Sequence, residues 1–416
     1  MKRAAQIITL PEYSTQRLPA TALAEETGAL LWRRYDRQRG VLSVAFPSPA
    51  SGQQWELTSH GWAGLIRATP ELTLALAPRI AINNLFDMLE VAYGLASFHL
   101  LPGLVYSSSL EAVYERLAAA LAEGVLRRAH LGLHGAYVAH RERLPFVRGR
   151  LLVEPVARQA GPPRVICDYE EHTVDVPDNQ ILAWTLWCIA RSRICGKRVQ
   201  PLVRRALRAV QATVTLVPTP SSACVGRQYD RLNEDYAPLH ALCRFFLENS
   251  GPTHQSGEEP MAPFLVNMAR LYEQYVAESL RRQLPPPWAL RAQETVVHGA
   301  GGDADDGARG GTHGGVQFII DLVLYDGAGT AHAVLDTKYR PLQRAAAADV
   351  AQVVAYAQSK GCRRAVLLYP QPPSPPLDVM VGDVRVQTMP FRPGEGARRD
   401  GVALMRALLQ GSSLQT

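Results

Sequence analysis

Two carboxylates and a lysine stand in sequence that is otherwise apolar. Val316-Gln317-Phe318-Ile319-Ile320-Asp321-Leu322-Val323-Leu324-Tyr325 reads as a strand buried on both faces and interrupted by one charge. The turn Asp326-Gly327-Ala328-Gly329-Thr330 leads to a second strand, Ala331-His332-Ala333-Val334-Leu335-Asp336-Thr337-Lys338-Tyr339. A hairpin closed symmetrically about Ala328-Gly329 sets Asp321 nearly opposite Asp336, with Cβ atoms about 4.5–5.5 Å apart. Asp336 and Lys338, two apart, share one face. Paired carboxylates in an apolar setting repel and lose hydration, and a divalent cation relieves both costs. Mg²⁺ takes one or two protein carboxylates beside substrate phosphates, and the backbone carbonyl of Thr337 could complete the protein's share. Lys338 could then orient or deprotonate an attacking water and stabilise charge on a scissile phosphate. The plainer alternative is a surface hairpin with one Asp–Lys ion pair, since a lone Asp-x-Lys triplet is common.

The lysine census favours the chemical reading. Of 44 basic residues only Lys2, Lys197, Lys338 and Lys360 are lysines. Arginine cannot replace lysine where a compact point charge or a shiftable pKa is required. The flanking elements are suited to position the three residues. Asp349 to Ala357 reads as an amphipathic helix with Gln352 and Tyr356 one turn apart on one face. Arg364 to Pro370 follows as a buried strand. Upstream, a helix is expected from Pro263 to about Gln283, then Pro285-Pro286-Pro287 and a Gly/Asp-rich loop from Gly299 to Gly315. Asp303-Ala304-Asp305-Asp306-Gly307 in that loop lacks the alternation and the following Glu of a calcium loop.

Residues 1 to about 100 look β-rich, with alternating runs at 6–10, 41–46 and 72–77, before a helix from Asn83 to Tyr93. From 108 to 250 helical spacing dominates. Leu110, Val113, Tyr114, Leu117, Leu121 and Val125 form one stripe, a second helix starts near Asp178, and Val203 to Val210 is a basic helix. Asn249 to Gly257 reads as a linker. The expected organisation is an α+β, β-rich N-terminal domain (1–105), a mainly helical middle region (106–255) and a C-terminal domain carrying Asp321, Asp336 and Lys338 (256–416).

Composition excludes several classes. An apolar fraction of 47% and a charged fraction of 20% are those of a folded protein. No apolar run approaches the roughly 18–20 residues of a membrane span. The N-terminus reads as the start of a strand rather than a signal peptide, which points to a cytoplasmic protein. The six cysteines show no metal spacing and are expected as buried thiols. No GxxxxGK[ST] run is present, so no nucleotide is expected on this chain. A net charge of +6 is compatible with a nucleic-acid partner.

Helix, hairpin with Asp321 and Asp336-Thr337-Lys338, helix and strand together resemble the core of PD-(D/E)XK nucleases. That resemblance implies an α/β, restriction-endonuclease-like domain and an acidic residue on the first core helix, here Glu273 in Leu271-Tyr272-Glu273-Gln274-Tyr275; a solvated helix residue is the alternative.

A wider resemblance is to the McrC family, nuclease subunits of McrBC-type, modification-dependent restriction systems. It rests on Leu76-Ala77-Pro78-Arg79, Asn84 to Leu89, Val147-Arg148-Gly149-Arg150-Leu151, Cys167-Asp168-Tyr169, Asp175 and Asp178 to Leu182, in order before the nuclease residues. Gln180 departs from it, standing where an Arg is expected. The resemblance implies Mg²⁺-dependent cleavage (Mn²⁺ substituting) of double-stranded DNA bearing 5-methylcytosine-type modification. It also implies a partner, a McrB-like AAA+ GTPase hexamer whose GTPase the N-terminal region stimulates. Arg148 and Arg150 either contact partner or DNA or form local ion pairs about Gly149. Rival readings are a non-catalytic activator of an AAA+ motor and a free-standing repair nuclease.

Overall fold

The computed structural model describes residues 6–69, 71–95, 109–152, 165–192, 194–250, 264–298, 316–340, 345–394 and 396–409. The chain divides into two compact units, Met1–Ala96 with Leu265–Thr416, and Ser97–Phe264. The first unit draws on both the expected 1–105 and 256–416 segments, and the second spans the expected 106–255 segment and extends beyond it at both ends, from Ser97 to Phe264. Of the expected linker 249–257, Asn249 and Ser250 end a helix instead, and residues 251–257, like the loop 299–315, lie outside the described residues.

The N-terminal part of the first unit runs β1 (Gln6–Pro11), β2 (Thr15–Pro19), α1 (Glu25–Leu31), β3 (Leu42–Ala45), β4 (Gln54–Ser59), β5 (Trp62–Arg67), β6 (Leu72–Ala77) and α2 (Ile82–Tyr93). The three expected alternating runs fall on β1, β3 and β6. Their period-2 pattern turns Ile8, Leu10, Val44, Leu72, Leu74 and Leu76 into one buried core with Trp55 and Leu57.

The second unit holds α3 (Leu110–Leu131), β7 (Ala136–Leu144), β8 (Arg150–Leu152), β9 (Val165–Thr173), α4 (Pro177–Ser192), α5 (Gln200–Gln211) and α6 (Tyr236–Ser250). The apolar stripe expected on α3 is buried in full. The antiparallel sheet β7-β9-β8 departs from the mainly helical expectation. No residue of β7 is fully buried, so its sequence shows no apolar alternation. The six cysteines are free thiols, five buried and Cys224 half-buried.

The chain then forms β10 (Phe264–Asn267), α7 (Met268–Gln283), β11 (Ala289–His298), β12 (Val316–Tyr325), β13 (Ala331–Thr337), α8 (Ala347–Ser359), β14 (Arg364–Tyr369), β15 (Asp378–Val381), β16 (Val384–Pro390) and α9 (Gly396–Leu409). The helix expected from Pro263 starts five residues later. Phe264-Leu265-Val266 are buried as a strand beside β5, and Asn267 caps α7 by accepting from the Arg270 N–H at 3.0 Å. β10 completes a sheet of order β1-β6-β5-β10, so residues from both ends of the chain share it. The larger sheet has order β11-β12-β13-β14-β16-β15, with β13, β14 and β16 parallel. α8 packs on it through Val353, Val354 and Ala357 against Val323, Val334 and Leu367. Among the described residues no helix is long and apolar enough to cross a membrane.

Candidate active site

β12 and β13 pair as expected. Leu322↔Leu335, Val323↔Val334 and Leu324↔Ala333 are in register before a shift at Tyr325↔Ala331. Carried one residue further, this register sets Asp321 opposite Asp336. The Asp321 carboxylate is held from the neighbouring strand: its Oδ2 accepts from the Thr337 N–H at 2.8 Å and the Thr337 hydroxyl at 2.9 Å. Thr337 therefore orients Asp321.

Asp336 is 2% exposed. Lys338 Nζ lies 2.8 Å from its Oδ2 as an ion pair, approaching off the direction of a regular hydrogen bond. Burial, then the Asp321 charge, pushes the Asp336 carboxyl up to about 6 despite the opposing pull of Lys338. Glu273, half-buried on α7, is pushed up to about 7 by burial and then by Asp321, with Asp336 adding to it. Glu273 thus lies within electrostatic reach of Asp321 and Asp336.

Lys338 leaves β13 with its N–H donating to Leu368 O at 2.8 Å on β14. Its ammonium donates to Gln352 Oε1 at 3.0 Å, and the Gln352 amide donates to the Tyr356 hydroxyl at 2.6 Å. The two α8 residues picked out by helical spacing thus hold the lysine in place.

The sequence reading missed three further members. Asp349, buried, lies 3.9 Å from Lys338 Nζ and pairs with Arg340. Its spacing of three before Gln352 and seven before Tyr356 was a usable signal for a shared face. Gln293 donates to Glu273 from β11. It has φ +54° and is skipped by the β11–β12 ladder between Ala292↔Leu322 and Glu294↔Ile320, which is opposite Asp321. Nothing in the local sequence marks that irregularity.

The acids fit a hydrated hard cation better than a protein-caged one. Among the described residues no three His, Cys, Asp or Glu side chains gather as a ready metal cage. Mg²⁺ needs fewer, since it keeps several waters. A buried carboxylate beside a second one, with one lysine at 2.8 Å, leaves negative charge that such an ion would balance.

Arg148 and Arg150 belong to the second unit. The Arg148 guanidinium lies 4.0 Å over the Tyr169 ring and 3.5 Å from Glu171, while Arg150 stands opposite Asp168 in the β8–β9 register and the Asp168 carboxylate accepts from Arg141. Gly149 turns between them at φ +68°, where a Cβ would meet the Asp168 carbonyl. Gln180 donates to Asp175 Oδ1 at 2.9 Å.

Comparison with known proteins follows the same lines. No curated protein matches the chain. The chain is similar to a solved structure described as a half-complex from a tetradecameric assembly of Thermococcus gammatolerans McrB AAA+ hexamers with bound McrC. That match has a TM-score of 0.58 and 17% identity, and it covers 97% of this chain and 100% of that one. The Thermococcus gammatolerans McrBC complex matches more weakly, with a TM-score of 0.42, 19% identity, and 67% and 88% of the two chains covered. The model of the McrBC 5-methylcytosine restriction system component family matches residues 57–370, well over half of the sequence, and the chain belongs to that family.

Proposed function

We propose that this chain is the McrC-like nuclease subunit of a modification-dependent restriction system. It would cleave double-stranded DNA by Mg²⁺-dependent phosphodiester hydrolysis, in the cytoplasm, with a McrB-like AAA+ GTPase hexamer. The observation that carries this reading is the buried Asp336 beside Thr337-held Asp321 and a lysine on the same strand. The order α7, β12–β13 hairpin, α8, β14 supports a PD-(D/E)XK core. The likeness to McrC bound to McrB hexamers supports the partner.

Asp321 and Asp336 would hold Mg²⁺, with Glu273 completing the acidic face and the Thr337 carbonyl available to it. When bound, the ion polarises the scissile phosphate and lowers the pKa of a bound water. Thr337 keeps Asp321 turned inward. Lys338, held by Gln352 and by Asp336, points its charge at the position where phosphate negativity grows and orients the attacking water. The Gln352 hydrogen bond and the nearby Asp349 carboxylate on α8 restrain that lysine. Duplex phosphates would meet these groups without any nucleotide bound to this chain.

The test is reconstitution with the AAA+ partner on methylated DNA. Asp336→Ala is expected to abolish Mg²⁺-dependent cleavage while GTPase stimulation stays intact. Cleavage by this variant at the wild-type rate overturns the site. A non-catalytic activator gains nothing from burying Asp336 beside a second carboxylate, so cleavage is the favoured reading.

A further inference from the structure

Lys338 is followed by Tyr339 and Arg340, and the structure anchors Tyr339 to the other end of the sequence. The Tyr339 hydroxyl donates to Glu12 Oε2 at 3.0 Å, in a buried contact spanning 327 residues. The Tyr13 hydroxyl donates to the Tyr339 carbonyl at 3.1 Å. Glu12 and Tyr13 form the turn between β1 and β2. That turn is itself held by the Glu12 N–H on Ala77 O (3.0 Å), the Tyr13 N–H on Ser59 O (3.1 Å) and the Arg79 N–H on Glu12 Oε2 (2.9 Å).

Two features of the turn are costly for a mere loop. Glu12 is 4% exposed and its Oε1 has no hydrogen-bond partner. Burying a carboxylic acid incompletely satisfied is unfavourable. Tyr13 has φ +54°, a left-handed conformation that a bulky residue adopts only where its surroundings demand it. The Tyr13 hydroxyl also lies 2.5 Å from where a Cβ on Gly61 would stand, so the bare glycine leaves it room. On the opposite side the Tyr339 ring meets Tyr272 of α7 at 5.7 Å.

We propose that Glu12 and Tyr13 are positioning residues of the nuclease site: they clamp Tyr339 and thereby fix where the neighbouring Lys338 carries its ammonium. This deepens the proposed cleavage reading and rests on it. The Lys338 main chain is tied on one side to Leu368 O and on the other to this turn. With the turn loosened, the strand contact, the Lys338 side-chain contacts and the Tyr339–Tyr272 ring contact would remain. The main chain just after Lys338 would nevertheless lose its buried anchor. A displacement of about 1 Å at a reacting centre costs on the order of a hundredfold in rate.

The experiment uses the full chain with its AAA+ partner and methylated duplex DNA. Tyr339→Phe and Glu12→Ala are expected to lower kcat roughly 10- to 100-fold, with the KM for DNA and GTPase stimulation near wild type. Glu12→Gln, whose carbonyl can still accept the Tyr339 hydroxyl, is expected to recover most of the rate. Hydrogen exchange in the chain alone gives a readout independent of activity: amides at 337–340 should exchange faster in Tyr339→Phe, with β11 and β12 unchanged. Wild-type kcat together with wild-type exchange at 337–340 overturns the clamp. So does a Glu12→Gln as impaired as Glu12→Ala. If Glu12→Ala does not fold, Tyr339→Phe, which removes a single hydroxyl, decides. Lys338→Ala serves as the control. Retained cleavage in that variant sinks the active-site reading, and the exchange measurement still judges the clamp.

Discussion

Two lysine–carboxylate pairs occupy the same sheet and its covering helix, and their carboxylates respond in opposite directions. Lys360, at the C-terminal end of α8, donates to Glu294 on β11, which also accepts from the Tyr325 hydroxyl at 2.8 and 2.7 Å. Burial pushes Glu294 up, but the Lys360 and Tyr325 hydrogen bonds outweigh it and hold the carboxyl below its ordinary range. Lys360 is raised in turn: burial works against its charge, and the Glu294 hydrogen bond prevails. Asp336 also has a lysine, yet stands at about 6 because burial and the Asp321 charge exceed what Lys338 returns. One region is balanced, one acid to one base with aligned donors. The other sets Asp336 and Asp349 around Lys338, with Asp321 acting on Asp336 and Arg340 paired to Asp349. A local excess of buried negative charge is costly in the apo protein and useful when a cation binds.

The largest expected effect is on the pH dependence of stability without divalent ions. Asp336 is raised from 3.8 to about 6. Below pH 3.8 both folded and unfolded states hold its proton. As pH rises through that window the unfolded state releases the proton first, so stability is lost progressively until the folded carboxyl has ionised. The loss amounts to about 3 kcal/mol from two pKa units. Asp336→Asn should therefore be more stable than wild type by about that amount at pH 8, with the gap closing toward pH 4. Urea unfolding in EDTA at several pH values measures it, and an Asn variant no more stable at pH 8 removes the contrast between the two pairs.

Exchanging the lysines sharpens the comparison. Lys338→Arg should cost on the order of a hundredfold in cleavage, because a planar guanidinium cannot take the same place. Lys360→Arg keeps a structural pair and should leave cleavage within about twofold, as ordinary ion pairs are worth roughly 0–1 kcal/mol. Parallel cleavage assays decide it. Equal losses in the two variants mean that Lys338 has no chemical role.

The smallest effect lies in the balanced pair. Glu294 sits below its ordinary 4.5, so it contributes stability above that pH and loses it as pH falls through the folded pKa. Glu294→Gln should destabilise by about 1 kcal/mol near neutrality and by progressively less in acid, the reverse of Asp336→Asn. A matching pH trend in the two variants abolishes the distinction.

Much of the candidate site was legible because it is local. The hairpin, the shared face of Asp336 and Lys338, and the Gln352–Tyr356 spacing all lie within a few dozen residues. Strand period 2 and helix period 3.6 relate them directly. The N-terminal strands were legible for the same reason. β7 was not, because a strand with no fully buried residue leaves no apolar alternation. The start of α7 was misplaced because Phe264-Leu265-Val266 satisfies either a helix or a strand until β5 is beside it.

The sequence by itself determined which residues could do chemistry: apolar strands interrupted by Asp321 and Asp336, and a lysine kept where arginine is the rule. Only the tertiary structure decided what surrounds them. Glu273 approaches on α7, steadied by Gln293 at a left-handed kink in β11. Glu12 reaches Tyr339 across 327 residues. β10 joins β5, so that the first and last parts of the chain form one unit. The physical reason is range. Hydrophobic periodicity carries information over a turn or a strand, whereas burial, charge repulsion and long-range hydrogen bonds take their values only once distant segments are packed together.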